Sequence, residues 1–153
     1  MNSRSKSSRV PIPVEDRIFV ALMQTADALS QEAEQLLKAA GLTGTQYNVL
    51  RILRGAQPQG LPCSAIGDRM ISHDPDMTRL LDRMEKRGLI TRERQTDDRR
   101  VVKTRITPRA LTLLKTLDQP VHDFHKRQFR HIPAARLKTL GQLLEEVRAR
   151  KPE

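Results

Sequence analysis

The sequence predicts a mainly α-helical domain that carries one small β-hairpin. Three observations lead there. Apolar residues recur at three- and four-residue spacing through long segments near both ends of the chain. Between them, residues 74–107 (DPDMTRLLDRMEKRGLITRERQTDDRRVVKTRIT) pass from a helical period into two strand-like runs around a charged turn. A length of 153 residues suits one domain large enough to bury a core.

The first helix is expected over residues 14–40, where Ile18, Leu22, Ala26, Leu29, Ala33, Leu36 and Leu37 form one stripe that ends at Gly41. At ~1.5 Å per residue it would run about 40 Å, more than a compact monomer needs, which leaves part of its stripe for a partner subunit. A second helix begins at Thr43 or Gly44 and runs to Arg54. Gln46 stands three residues after Thr43, as in a capping box. Residues 55–62 (GAQPQGLP) read as a loop, and a short third helix runs from Cys63 or Ser64 to Met70. Asp74 is the expected N-cap of a fourth helix with Pro75 at its first position, and Gly88 its stop. In that helix Met77, Leu80, Leu81 and Met84 fall on one face, so Asp76, Thr78, Arg79, Asp82, Arg83 and Lys86 point outward. Strand-like runs at 89–94 and 101–106 flank a polar hairpin tip. Thr107-Pro108 opens a fifth helix, with Pro120 predicting a kink or break near Asp118 and Gln119. Pro133 opens a last helix over 134–150, with Leu137, Leu140, Leu143, Leu144 and Val147 on one face.

A formal net charge of +10 favours a polyanionic partner, most often nucleic acid. Aromatic residues make up 3 % of the chain, too few for the stacking platforms that single strands require, so the expected partner is double-stranded DNA. The single cysteine, Cys63, excludes an internal disulfide. The segment MNSRSKSSRV lacks an apolar signal-peptide core and no run could span a bilayer, so a cytoplasmic location is expected. No nucleophile–base pair, phosphate-cradling glycine loop or metal-ligand spacing appears, so no enzyme activity, cofactor or metal is expected. His122 and His125 share an i,i+3 face, but no cysteine or second carboxylate joins them, and His131 lies in the same basic region.

The candidate DNA-binding residues are Ser64, Asp76, Thr78, Arg79, Arg83, Asp98, Arg99 and Arg100. Thr78 and Arg79 stand in the first turn of the fourth helix, the part that a recognition helix pushes deepest into the major groove. Arginine can donate two hydrogen bonds to guanine, and threonine can meet a thymine methyl. Alternatively, Arg79 is a surface arginine paired with Asp76 or Asp82. Arg83 follows one turn later. In the hairpin tip, Arg99 or Arg100 would enter the adjacent minor groove, whose narrow A·T-rich stretches concentrate negative potential. Ser64 is either a phosphate contact or an ordinary N-cap. Lys86 and Arg87, near the helix end, would serve its dipole or a phosphate. Arg4, Lys6 and Arg9 belong to a basic arm, residues 1–13, that is expected to be flexible.

The chain resembles the MarR family of winged helix-turn-helix regulators. The resemblance is carried by Leu42-Thr43-x-x-Gln46-Tyr47-x-Val49-Leu50, by Thr78-Arg79-Leu80-Leu81-Asp82-Arg83-Met84-Glu85-x-x-Gly88-Leu89-Ile90, and by Arg92, Asp98-Arg99-Arg100 and Arg105-Ile106-Thr107. It implies a winged helix-turn-helix with long N- and C-terminal dimerisation helices: a DNA-binding lobe at 42–107, and a dimerisation lobe from 14–41 and 108–150, in a single domain over 14–153. It further implies a homodimer on a pseudo-palindromic operator, usually a repressor, often released by a small aromatic ligand or by oxidation. Asp98 and Arg100 resemble the family's paired residues that shape the wing, leaving Arg99 as the freer probe. A ligand cleft between the lobes would be lined by Phe19, Met23, Tyr47 and Leu50, residues that serve equally as core. The alternative is a winged-helix module that binds protein, or duplex DNA without specificity.

Overall fold

A computed structural model describes residues 11–96 and 100–149. Asp98 and Arg99 of the hairpin tip, and Arg4, Lys6 and Arg9 of the basic arm, lie outside the described residues. Among the described residues, six helices and three strands follow one another in the order α1 (Val14–Lys38), α2 (Gly44–Gly55), β1 (Leu61–Pro62), α3 (Cys63–Gly67), α4 (Met77–Lys86), β2 (Ile90–Arg94), β3 (Val102–Ile106), α5 (Pro108–Phe129) and α6 (Ala134–Ala149). The strands form an antiparallel sheet in the order β1-β3-β2, with Arg92 opposite Thr104 and Leu61 opposite the same threonine from the other side.

Local chemistry accounts for most boundaries. Thr43 caps α2 in a complete capping box: its hydroxyl accepts from the Gln46 amide at 3.1 Å, and the Gln46 side chain accepts from the Thr43 amide at 3.2 Å. Thr107 serves two elements at once. Its hydroxyl accepts from the Ala110 amide to cap α5 and donates to the Gly88 carbonyl at 2.8 Å, closing the base of the hairpin.

Three expectations are corrected. Residues 55–62 are not wholly loop, because Leu61 and Pro62 pair with β3 as a third strand. Proline is tolerated there because β1 is an edge strand. Helix α4 is capped by Asp76 rather than Asp74. The Asp74 carboxylate accepts from the Asp76 amide at 2.8 Å, and Asp76 in turn accepts from the Arg79 amide at 3.3 Å. Of the kink or break expected near Pro120, the break does not occur: helix α5 continues as one helix through it. Leu114 and Leu117 before the proline, and Val121 and Phe124 after it, are buried on the same core, and that packing outweighs one lost backbone bond.

The core gathers Val49, Leu50 and Leu53 of α2, Ile66 of α3, Leu81 and Met84 of α4, Ile90 and Ile106 of the sheet, and Leu114 of α5. Only the C-terminal part of α1 joins it, through Leu37. Its N-terminal half leaves Ile18, Phe19, Val20 and Met23 exposed, and α6 buries nothing while exposing Leu140, Leu143 and Val147. Among the described residues no helix is long and apolar enough to cross a membrane.

Gly60 is buried with φ +69°, and a Cβ there would stand 2.5 Å from the Thr104 carbonyl oxygen. Gly60→Ala is therefore expected to cost at least about 1–2 kcal/mol from the left-handed conformation alone, read as a lower midpoint in urea denaturation. Arg54 of α2 holds Asp118 of α5 through two bonds of 2.9 and 3.0 Å. The Arg54 hydrogen bond holds the Asp118 carboxyl below the usual carboxylate range, against a smaller opposing effect of burial. A depressed folded pKa stabilises above the unfolded pKa, so this contribution is complete above about pH 4 and is lost as pH falls through the folded value. Both groups are solvent-accessible, so it is expected to be below about 1 kcal/mol. Asp118→Asn should lower the neutral plateau of a stability–pH curve by that small amount and leave its most acid region unchanged, so that the fall in stability below pH ~4 is shallower.

Candidate nucleic-acid interface

The candidate reading surface is the outer face of α4 together with the ribbon of β2 and β3. Helix α4 is ten residues long and would be marginal alone. It persists because Leu80, Leu81 and Met84 are buried on one side. That seating fixes the other side: Thr78, Arg79, Arg83 and Lys86 are exposed. Thr78 and Arg79 are the second and third residues of the helix, and the Arg79 amide is taken up by the Asp76 cap.

Arg79 does meet Asp76, at 3.2 Å between Nε and the carboxylate, and its side chain is 79 % exposed. An exposed ion pair of this kind stabilises little, so the guanidinium can exchange it for a phosphate or a base edge at small cost. Asp76 has two structural duties, capping α4 and holding Arg79 near the helix start. Ser64 is the second residue of α3, exposed, while the N-cap position belongs to Pro62 and has no side-chain cap. The N-cap reading of Ser64 is thereby corrected, and its hydroxyl faces solvent. Arg100 is exposed at the ribbon tip, beside the undescribed Asp98 and Arg99.

Two arginines that composition would assign to phosphates are instead structural. Arg87 donates to the Gly41 carbonyl at 2.7 Å and to the Gln46 side chain at 2.9 Å, tying the end of α4 to the α1–α2 turn. Arg92 of β2 reaches back to α4. Its Nε and Nη2 both donate to Glu85 Oε2, at 2.9 and 2.7 Å, Nη2 also donates to Asp82 Oδ1, and its amide donates to Glu85 Oε1 at 3.1 Å. The hydrogen bond to Glu85 raises the guanidinium pKa above its ordinary value; burial opposes it, and Asp82 adds to it. Sequence reasoning placed Asp82 on the solvent face, with Arg79 as its possible partner; the structure pairs it with Arg92 instead. The signal that would have found the cluster is the i,i+3 pair Asp82 and Glu85, followed by an arginine just inside the next strand. On the far side of the ribbon Arg105 donates to Glu93 at 2.6 Å and to the Pro58 carbonyl at 3.2 Å.

A cavity of about 520 Å³ lies between α1, α2 and α5, with Ala33, Leu37, Val121 and Phe124 supplying apolar wall and Tyr47, Asn48, Arg51 and His125 the polar groups. The Arg51 guanidinium carbon lies 5.9 Å from the Tyr47 ring centroid, and Arg51 donates to the Tyr47 hydroxyl at 3.1 Å. Of the four residues expected to line a cleft, only Tyr47 does so. Leu50 is 0 % exposed within the core. Phe19 and Met23, at 67 % and 58 % exposure, stand on the part of α1 that extends beyond the core of the single chain. Asn48, Arg51, Phe124 and His125 were missed, because nothing in their spacing separates a cavity wall from an ordinary helix face.

A short helix, a turn, a second helix with an outward arginine face and an antiparallel ribbon tied to that helix together define a winged helix-turn-helix domain. Comparison with known proteins agrees. A family model described as MarR family matches residues 42–102. The crystal structure of a MarR transcription factor from Planctomyces limnophilus is 37 % identical, covers 90 % of this chain and 98 % of that one, and superposes with a TM-score of 0.67. The homoprotocatechuate degradative operon repressor of Escherichia coli is 25 % identical over 131 residues, 86 % of this chain and 87 % of that protein. The structure of CouR from Rhodococcus jostii RHA1 bound to p-coumaroyl-CoA shares the fold, at 23 % identity, 94 % and 99 % coverage and a TM-score of 0.76. The chain belongs to the MarR family.

Proposed function

We propose that this protein is a homodimeric, sequence-specific DNA-binding transcriptional regulator that represses from a pseudo-palindromic operator and is released by a small aromatic ligand. The observation that carries the reading is the exposed Thr78, Arg79 and Arg83 face on a helix whose opposite side is locked into the core. Thr78 and Arg79 read base edges in the major groove, Arg83 takes a base or a phosphate, and Ser64 takes a phosphate through its exposed hydroxyl. Asp76 acts by capping and aiming. Asp98 and Arg100 shape the wing, and Arg99 or Arg100 enters the minor groove.

Within this reading residues 42–107 are the DNA-binding lobe, 14–41 and 108–150 pair with a second copy, and 1–13 form a basic arm. Homodimerisation is supported by Ile18, Phe19, Val20 and Met23 on α1 and by Leu140, Leu143 and Val147 on α6, large apolar groups that one chain leaves exposed. The cavity beside α2 suits a flat apolar body with one anionic group, which Arg51 would meet. The p-coumaroyl-CoA bound by CouR, whose acyl group is aromatic, supports the aromatic part of that reading. The protein acts in the cytoplasm, as a binder rather than an enzyme.

The direct test uses an operator obtained by genome-fragment selection with the purified protein. In fluorescence anisotropy, Arg79→Ala should lose about 1–3 kcal/mol of preference for that operator over random duplex, the worth of one bidentate guanine contact. Equal losses on both duplexes would make Arg79 a phosphate contact and favour non-specific binding.

A further inference from the structure

We propose that Arg92 is a positioning residue that sets the register between the two groove contacts, fixing how many base pairs separate the step read by α4 from the tract entered by the wing. The inference rests on the DNA-reading assignment above and concerns a residue that would touch no DNA.

Arg92 is the place where the two reading elements are joined. It lies at the middle of β2, two residues after Ile90, and opposite Thr104, which is buried in the middle of β3. From there a single guanidinium grips both Asp82 and Glu85, successive inner-edge carboxylates of α4, while its own amide is bonded to the second of them. The guanidinium is planar, so a fork engaged on two carboxylates constrains rotation of the strand about the helix as well as its distance. A lysine could satisfy the charge and leave the rotation open. The Arg92 side chain is only 25 % exposed, so water competes weakly for these bonds.

The lever arm gives the constraint its consequence. The outermost described bond of the ribbon, from the Gln95 amide to the Val101 carbonyl, is three residues beyond Arg92, or about 10 Å at ~3.3 Å per residue. A swing of about 10° at Arg92 would move that end by roughly 1.7 Å at that arm length. One base pair rises about 3.4 Å along the duplex, so such a swing already spans about half of one step. The far edge of the ribbon is anchored differently: Arg105 ties it to the Pro58 carbonyl and to Glu93 of its own sheet, with no bond to α4 among those described. The angle between helix and wing is therefore set on the Arg92 side.

The test measures binding to a series of duplexes in which the minor-groove A·T-rich tract of the selected operator is moved by one base pair relative to the step that α4 reads. The wild-type protein is expected to lose about tenfold or more in affinity on the shifted duplex, comparable with a mismatched base pair. Arg92→Gln should bind the original duplex more weakly but lose less than about threefold on the shift, and Arg92→Lys should resemble it because it keeps charge without the fork. A melting curve accompanies each variant. If Arg92→Gln does not fold, Glu85→Gln and Asp82→Asn, each neutralising one of the two carboxylates, should relax the register penalty in the same direction. A folded variant that keeps the full wild-type penalty would overturn the proposal, as would a wild-type protein that discriminates sequence yet tolerates the shift. Failure of the DNA-reading assignment looks different: the wild-type protein would then bind operator and random duplex alike.

Discussion

Burial of Leu80, Leu81 and Met84 is the constraint on which the rest depends. Helix α4 has ten residues, and its other side chains are mostly charged or hydroxyl-bearing. Alone it would not hold a helical conformation in water. Burying three large apolar side chains contributes roughly 1.5–3 kcal/mol each, which is enough to seat it. Once those three are seated, helical geometry leaves no choice about where Thr78, Arg79 and Arg83 point. The polar bonds then refine the seat: Asp76 defines where the helix begins, Arg87 ties its end to the α1–α2 turn, and Arg92 carries its orientation into the ribbon.

Much of this was legible in the sequence, where one local rule acted without competition. The capping box at Thr43 and Gln46, the Thr107-Pro108 start of α5 and the inward set of α4 each follow from spacing alone. Errors arose where two local rules competed or where the decisive partner was remote. Asp74-Pro75-Asp76 offers two possible caps, and the Asx bond from the Asp76 amide to Asp74 shifts the helix start to the second. Pro120 obeys the core beneath α5 rather than its own preference. The two-residue strand β1 has no pattern to read; it exists because β3 presents an unpaired edge. The Arg92 cluster likewise depends on the turn at Gly88, which brings β2 back along α4.

The binding surface and the cavity differ in how far sequence reaches. An outward arginine on an amphipathic helix is visible as soon as the helix is recognised. A cavity is a property of how three helices fail to meet, and its wall drew on α1, α2 and α5 together. Tyr47 lines the cavity from the flank of α2, whereas Phe19 and Met23 belong to the exposed apolar face of α1. That face and the bare side of α6 stay exposed in the single chain, so the long amphipathic patterns at the two ends of the sequence did not translate into core.

The central claim is that a core-seated helix and a ribbon tied to it read adjacent grooves of one duplex, twice over in a symmetric dimer. Chemical footprinting of the complex with its selected operator tests that most directly. The account predicts protection of guanine N7 in the major groove flanked by minor-groove protection from hydroxyl radicals, repeated with two-fold symmetry at centres about 10 base pairs, one helical turn, apart. Uniform backbone protection without protected base edges, or a single unrepeated footprint, would contradict it.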